Sequence, residues 1–311
     1  MERSEFLCLP IDEVVKIVQQ KGQPQAGVFV PDGNRRLVLA MTGLPENSDA
    51  FFLQVAKTQT AGFLENLQVF FDHGLPILFA PLFSRSVLLR GNKYRSLTVV
   101  ETLRTLFTDQ AWLDFYQEHE VSVRVYGNLE VLAGEELAPA FDWIHNAEEY
   151  TCKYDRHRLY LGIGGEPWVG HDAALAASRF IREFGREPDK EELIFSLYGR
   201  ALLPANFVII SSKFAGIGAL PALICGRNTN IYYLPVPGVM GLTACTYRSI
   251  LYDLLFLQGE RTGDGCYELS PGEQKELYTW YTNHADIVMG VGHTIGSVWI
   301  PDISWGGLSY E

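Results

Sequence analysis

Continuous apolar runs and stripes with a helical period alternate along this chain. The run Ala26-Gly27-Val28-Phe29-Val30 does not alternate with polar residues, which predicts a strand covered on both faces. Comparable runs at Pro76–Ala80, Val121–Tyr126, His157–Ile163, Phe207–Ser211 and Ile231–Leu234 predict further strands. A helix is expected over Ile11–Gln20, opening after Pro10 with Asp12 and Glu13 in the first turn, where the helix dipole favours acidic groups. From Ser48 to His73, residues Phe52, Val55, Ala56, Phe63, Leu67, Phe70 and Phe71 recur at helical spacing until Gly74 stops the pattern. Helices are also expected over Ser96–Glu118, Asp172–Glu183 and Asp189–Tyr198. Strands that alternate with helices predict an α/β fold with a central, mostly parallel sheet flanked by helices. No linker or repeat divides residues 1–311. The weakest candidate boundary, Leu132–Asn146, reads as an insertion, so a single domain is expected.

Charge narrows the partners. A formal net charge of −12 excludes non-specific nucleic-acid binding, which needs a basic surface. Any anionic ligand must therefore be held by a local group of cations. The five cysteines, Cys8, Cys152, Cys225, Cys245 and Cys266, are scattered without a C-x-x-C pair, as expected of free thiols in a reducing cytoplasm. Glu2, Arg3 and Glu5 do not make a signal peptide. The apolar stretch Phe207–Gly226 contains Lys213 and Pro221, so it is expected to be a buried strand and a following loop, not a membrane span.

The candidate chemistry lies at the end of the first strand. Pro31 closes it, and Asp32-Gly33-Asn34-Arg35-Arg36 follows at the strand's carboxyl end, where ligands bind in open α/β sheets. Two guanidinium forks suit phosphate oxygens, and Asp32 can hold a divalent cation or take a proton. An Asp-Gly turn with two solvated arginines is the simpler alternative. Elsewhere, Gly162-Ile163-Gly164-Gly165 lacks the full dinucleotide fingerprint, and Asp172 after His171 reads as a helix cap. There is no zinc-spaced Cys/His set, no G-x-S-x-G elbow and no P-loop.

Asp32–Arg36 after an apolar strand resembles the first signature of the cis-prenyltransferases, in which an Asp-Gly-Asn-Gly-Arg-Trp loop holds an allylic diphosphate and magnesium. The likeness continues in order through the serine loop at Ser84, Val121–Asn128 and Leu159–Gly165. A narrower branch, the bacterial tuberculosinol and tuberculosinyladenosine synthases, is similar over almost the whole length. The segments that carry this are Glu5–Pro10, Asp32–Arg36, Arg90–Tyr94, Tyr116–Val121, Arg248–Asp253 and Gly290–Gly292. The chain departs from elongating cis-prenyltransferases at Asn206–Phe214, which has neither Arg nor Glu where their arginine-glutamate-arginine motif holds isopentenyl diphosphate. It departs from the tuberculosinol enzymes where the long helix starts, with Phe51, Phe52 and Val55 and no tyrosine.

The resemblance implies a cis-prenyltransferase fold over residues 1–311, a homodimer and Mg²⁺. It implies ionisation of a bicyclic twenty-carbon allylic diphosphate made by a class II diterpene cyclase, with water capturing the cation. Kolavenyl diphosphate going to the tertiary alcohol kolavelool is the leading expectation. Transfer of the same cation to a nucleoside such as adenosine is the alternative, and a non-catalytic accessory subunit is a third reading. On this basis Asp32 and Tyr94 are the expected catalytic residues, with Asp32 also the metal ligand. Gly33, Asn34, Arg35, Arg36 and Ser84 are expected on the diphosphate, and Phe52 and Phe83 in the hydrophobic pocket.

Overall fold

The computed structural model describes residues 1–133, 136–165, 170–211, 220–258 and 269–303. Six parallel strands form its central sheet: β1 (Ala26–Val30), β2 (Ile77–Ser84), β3 (Val121–Tyr126), β4 (His157–Gly165), β5 (Phe207–Ser211) and β6 (Asn230–Leu234). Their spatial order is β3-β4-β2-β1-β5-β6, so the chain builds outward from β1 first to one side and then to the other. That places β1 beside the reversal point, where the loops at the carboxyl edge diverge and leave room for a ligand. All five residues of β5 are buried and β1 is apolar throughout, as central strands require, whereas the edge strand β3 carries exposed Arg124.

Thirteen α-helices are described. Before β2 come α1 (Arg3–Cys8), α2 (Ile11–Lys21), α3 (Asn34–Thr42) and α4 (Asp49–Asp72). Between β2 and β4 lie α5 (Arg85–Leu88), α6 (Asn92–Tyr94), α7 (Val100–Thr108), α8 (Gln110–Glu118) and α9 (Pro139–Thr151). The remainder are α10 (His171–Phe184), α11 (Lys190–Tyr198), α12 (Ala244–Tyr252) and α13 (Pro271–Asn283), followed by an antiparallel hairpin of β7 (Gly292–Ile295) and β8 (Val298–Pro301). On one face of the sheet, α4 lays Phe63, Phe70 and Phe71 into the main core. There Phe70 packs 5.5 Å from Phe29 and 4.8 Å from Tyr247 between ring centroids. The other face is smaller and richer in tyrosine, with Phe79 stacked on Tyr160 at 4.5 Å and met edge-on by Tyr198.

Three expectations change, the simplest at Asp172, which is not the cap but lies inside the first turn of α10, with Gly170 at the N-cap. The helix expected over Ser96–Glu118 is broken: a π-helical turn at Arg95–Val99 leads into α7, and Asp109 is extended and caps α8 by accepting from the Ala111 N–H at 3.0 Å. The supposed insertion at Leu132–Asn146 is part of the body, since Leu132, Leu137, Ala140 and Ile144 are buried in the main core and α9 packs on β3. Of the cysteines, Cys8, Cys152, Cys225 and Cys245 are free thiols, and Cys266 lies outside the described residues. Among the described residues no helix is long and apolar enough to cross a membrane.

Candidate functional site

The loop after β1 is held in shape before any ligand is considered. Gly33 has a φ of +96°, and with this left-handed turn the chain passes from strand directly into α3. Asn34 is buried, and its amide is spent on the backbone: Nδ2 donates to the Pro31 carbonyl at 3.0 Å, and Oδ1 accepts from the Val239 N–H at 3.2 Å. Alongside, the Gly238 N–H donates to the Asp32 carbonyl at 2.6 Å. Gly238 has a φ of +67°, and a Cβ there would lie 2.2 Å from Asn34 Oδ1, so only glycine permits this approach. The loop is thus clamped by a turn that follows β6.

Its charged side chains face outward. Asp32 is exposed and accepts from Arg36 at 3.2 Å through Oδ2. Arg35 pairs with Glu46, while its Nε is buried without a hydrogen-bond partner. The Arg35 and Arg90 guanidinium carbons lie 5.8 and 5.5 Å from the Tyr94 ring centroid, within cation–π range. Tyr94 is only 8% exposed. Burial pushes its phenol above the ordinary value, and Arg90 and Arg35 partly oppose that, so the group is a neutral donor near neutral pH. Beyond Tyr94 the wall becomes apolar. Phe52 meets it edge-on at 6.0 Å, and Phe51 follows at 5.8 Å, packed with Val38 and Val55. The guanidinium groups of Arg35 and Arg90 therefore border an aromatic wall, with Arg36 and the carboxylates of Asp32 and Glu46 beside them, an arrangement suited to an anionic head joined to an apolar body.

The structure brings Asp32, Gly33, Asn34, Arg35, Arg36, Tyr94 and Phe52 into this one neighbourhood. Ser84 and Phe83, at the carboxyl end of β2, line a different cavity with Tyr126, Gly162 and Asp172. The Ser84 hydroxyl lies 2.9 Å from that of Ser86, and Phe83 is 2% exposed in the main core. The residue that sequence reasoning left out is Arg90. Its signal was the Arg-Gly-x-x-Tyr segment, in which Arg90 precedes α6 and the bend at Gly91 brings its guanidinium back over the Tyr94 ring. The departure at Asn206–Phe214 is described as far as Ser211, whose hydroxyl is buried without a partner. Ser212, Lys213 and Phe214 lie outside the described residues.

Comparison with known proteins found no family model that matches the chain. The chain is 29% identical over 311 residues to the tuberculosinyl adenosine transferase of Mycobacterium tuberculosis, covering 97% of this chain and 99% of that one. It is 23% identical over 307 residues to the (+)-kolavelool synthase of Herpetosiphon aurantiacus, covering 96% and 94%. Among solved structures it is similar to a probable undecaprenyl diphosphate synthase from Campylobacter jejuni, with a TM-score of 0.57, 18% identity and coverage of 77% and 99%. A second is lavandulyl diphosphate synthase from Lavandula x intermedia in complex with dimethylallyl diphosphate, with a TM-score of 0.58, 14% identity and coverage of 80% and 99%.

Proposed function

We propose that this chain, which has the cis-prenyltransferase fold and is homologous over nearly its full length with tuberculosinyl adenosine transferase and kolavelool synthase, is a diterpene synthase acting on a bicyclic twenty-carbon allylic diphosphate. The observation that carries the proposal is the junction of Arg35 and Arg90 with the Tyr94–Phe52 wall, next to the Asp32–Arg36 pair. The guanidinium groups would take the diphosphate oxygens, and the terpenyl rings would lie along the aromatics.

Breaking the allylic carbon–oxygen bond moves negative charge onto the leaving diphosphate. Donors already aimed at that charge lower the barrier, each commonly by about 3 kcal/mol. Arg36 would exchange its contact with Asp32 for the diphosphate, and neutral Tyr94 would donate a hydrogen bond to it. The aromatic faces of Tyr94 and Phe52 would stabilise the allylic cation until water attacks its tertiary end. The carbon–oxygen bond to water forms as the proton passes to the departing diphosphate or to Asp32, giving a tertiary alcohol and diphosphate. Because burial keeps its phenol protonated, Tyr94 orients water and does not deprotonate it.

Magnesium fits the donor set in one way. Among the described residues no cluster of three His, Cys, Asp or Glu side chains could cage an ion, but Asp32 is exposed and has Oδ1 free of the Arg36 contact. Mg²⁺ commonly binds through one carboxylate together with substrate phosphates, and when bound it neutralises charge on the leaving diphosphate. In this reading residues 1–311 form one catalytic domain working as a homodimer, and a class II diterpene cyclase supplies the substrate.

Kolavelool from kolavenyl diphosphate is the leading specific reaction. Transfer to adenosine is the second reading, favoured by the 29% identity to a transferase of that name. Incubation with bicyclic and linear twenty-carbon diphosphates and Mg²⁺, with and without adenosine and isopentenyl diphosphate, separates the two. An alcohol and diphosphate formed without adenosine are expected. A product formed only when adenosine is present selects the transferase, and elongation of linear substrates overturns both.

A further inference from the structure

A second group of arginines lies away from the loop after β1. In the register of the edge pair, Ser122 stands beside Arg158 and Arg124 beside Tyr160, so all four side chains leave the same face of the sheet. With Arg200, just beyond the end of α11, they line a cavity of about 130 Å³. It sits toward the amino ends of β3 and β4, whereas Asp32 follows the carboxyl end of β1.

The three positive charges around this cavity are only partly balanced, by Asp155 and by Glu148. Arg124 has no ion pair or hydrogen bond among the described residues. The Arg158 Nε is buried without an acceptor, an arrangement that costs about 1–3 kcal/mol when nothing fills it. Arg158 and Arg200 both turn to one oxygen of Asp155, the second at 3.4 Å. On the rim, Glu148 has Oε1 occupied by the Val125 N–H at 2.7 Å. The three guanidinium groups also surround one phenol: each acts electrostatically on Tyr160, although burial is the larger influence and raises its pKa. In a chain of net charge −12, convergence of three arginines on one cavity concentrates positive potential against the overall field.

We propose that the cavity lined by Arg124, Arg158, Arg200 and Tyr160 is a second anion site, which binds a phosphate- or diphosphate-bearing small molecule. Guanidinium forks match phosphoryl oxygens, and the buried Arg158 Nε–H supplies a donor that needs an acceptor. The cavity is lined mainly by polar side chains and lacks an aromatic wall like that of Phe52 and Tyr94, so it would take the anion itself and not a prenyl chain. Free diphosphate and a nucleotide phosphate share this chemistry.

The test is calorimetric titration of the full chain at low ionic strength without divalent metal, using inorganic diphosphate, inorganic phosphate and adenosine monophosphate in turn. Arg36→Gln weakens binding at the loop after β1 and isolates the second site. In that background one saturable site per chain is expected, and adding Arg124→Gln should weaken it at least about tenfold, the loss expected for a charge-assisted contact. Arg200→Gln should also weaken it, and Arg124→Lys, which keeps the charge but not the fork, should fall between. Tighter binding of adenosine monophosphate than of inorganic phosphate identifies a nucleotide ligand; equal or weaker binding identifies the free anion. Absence of saturable binding to the Arg36→Gln chain, or binding that neither Arg124→Gln nor Arg200→Gln changes in chains with unaltered melting, overturns the proposal.

Discussion

Arginines in three settings among the described residues are set apart by their surroundings. Arg248 is engaged within the chain: its Nη1 donates to the carbonyls of Leu7 and Leu9 and its Nε to His73 Nε2, and so it fastens α1 to the body. At the edge of the sheet, Arg124 and the Nε of Arg158 lack partners among the described residues, and the cavity beside them is lined mainly by polar side chains. After β1, Arg35 and Arg36 hold carboxylates that a ligand can displace, and Tyr94 and Phe52 stand beside them. What an arginine can bind therefore depends less on its charge than on which of its donors remain available and on what lies next to them. Of the three, only the last sets guanidinium groups beside an apolar wall.

The sharpest way to break this comparison is at Asp32 and Arg90. Asp32→Ala and Arg90→Gln are each expected to lower kcat by about 10²–10³, the usual cost of losing one preorganised charge contact, with circular dichroism unchanged. Near-normal turnover in either variant would remove that residue from the site. Asn34→Ala tests the scaffold beneath the charges. It leaves the buried Val239 N–H without its acceptor and should cost about 1–3 kcal/mol in urea unfolding, with activity falling as the loop loosens. Phe52→Ala isolates the apolar wall. Turnover of a diterpenyl diphosphate should fall about tenfold while affinity for inorganic diphosphate is retained; an equal loss of both would mean that the wall only supports the fold.

The smallest effect concerns the engaged arginine. Burial lowers the pKa of His73, and its ring accepts from Arg248 while Nδ1 donates to the Val69 carbonyl at 2.7 Å. The folded state thus favours neutral His73, and its contribution is full above the ordinary histidine value of about 6.5 and lost as pH falls below it. The melting temperature should decline on mild acidification, and His73→Gln, which keeps an acceptor that does not titrate, should decline less. An identical slope in both chains would assign the acid sensitivity elsewhere.

Much of the frame was legible because periodicity reports burial directly. The apolar runs of β1 and β5 match the strands residue for residue, and the phenylalanine stripe of α4 lies on the main core. The break at Asp109 was hidden because its capping bond is local and leaves the apolar period intact on both sides. Helix α9 was read as an insertion because its stripe of Ala140, Ile144 and Ala147 is short and small, and only the sheet beside it shows why those residues are buried. At the site, Asp32, Arg35 and Arg36 were legible as adjacent letters. Arg90 showed only as part of the Arg-Gly-x-x-Tyr segment, and the double engagement of Asn34 was hidden because Val239 lies 205 residues away.

The clamp between Asn34 and the Gly238 turn also bears on how the chain assembles. Its partners are 205 residues apart, so the loop after β1 cannot take its final shape when β1 itself is made. It must wait until β5 and β6 have joined the sheet and delivered the turn, and closing so large a loop belongs among the late and slow events of folding. A ribosome-bound chain that has released its first two hundred residues would carry every charged side chain of the site and still be inert. Grafting Asp32–Arg36 onto another strand would fail for the same reason, because the shape of that segment is stored at the other end of the molecule.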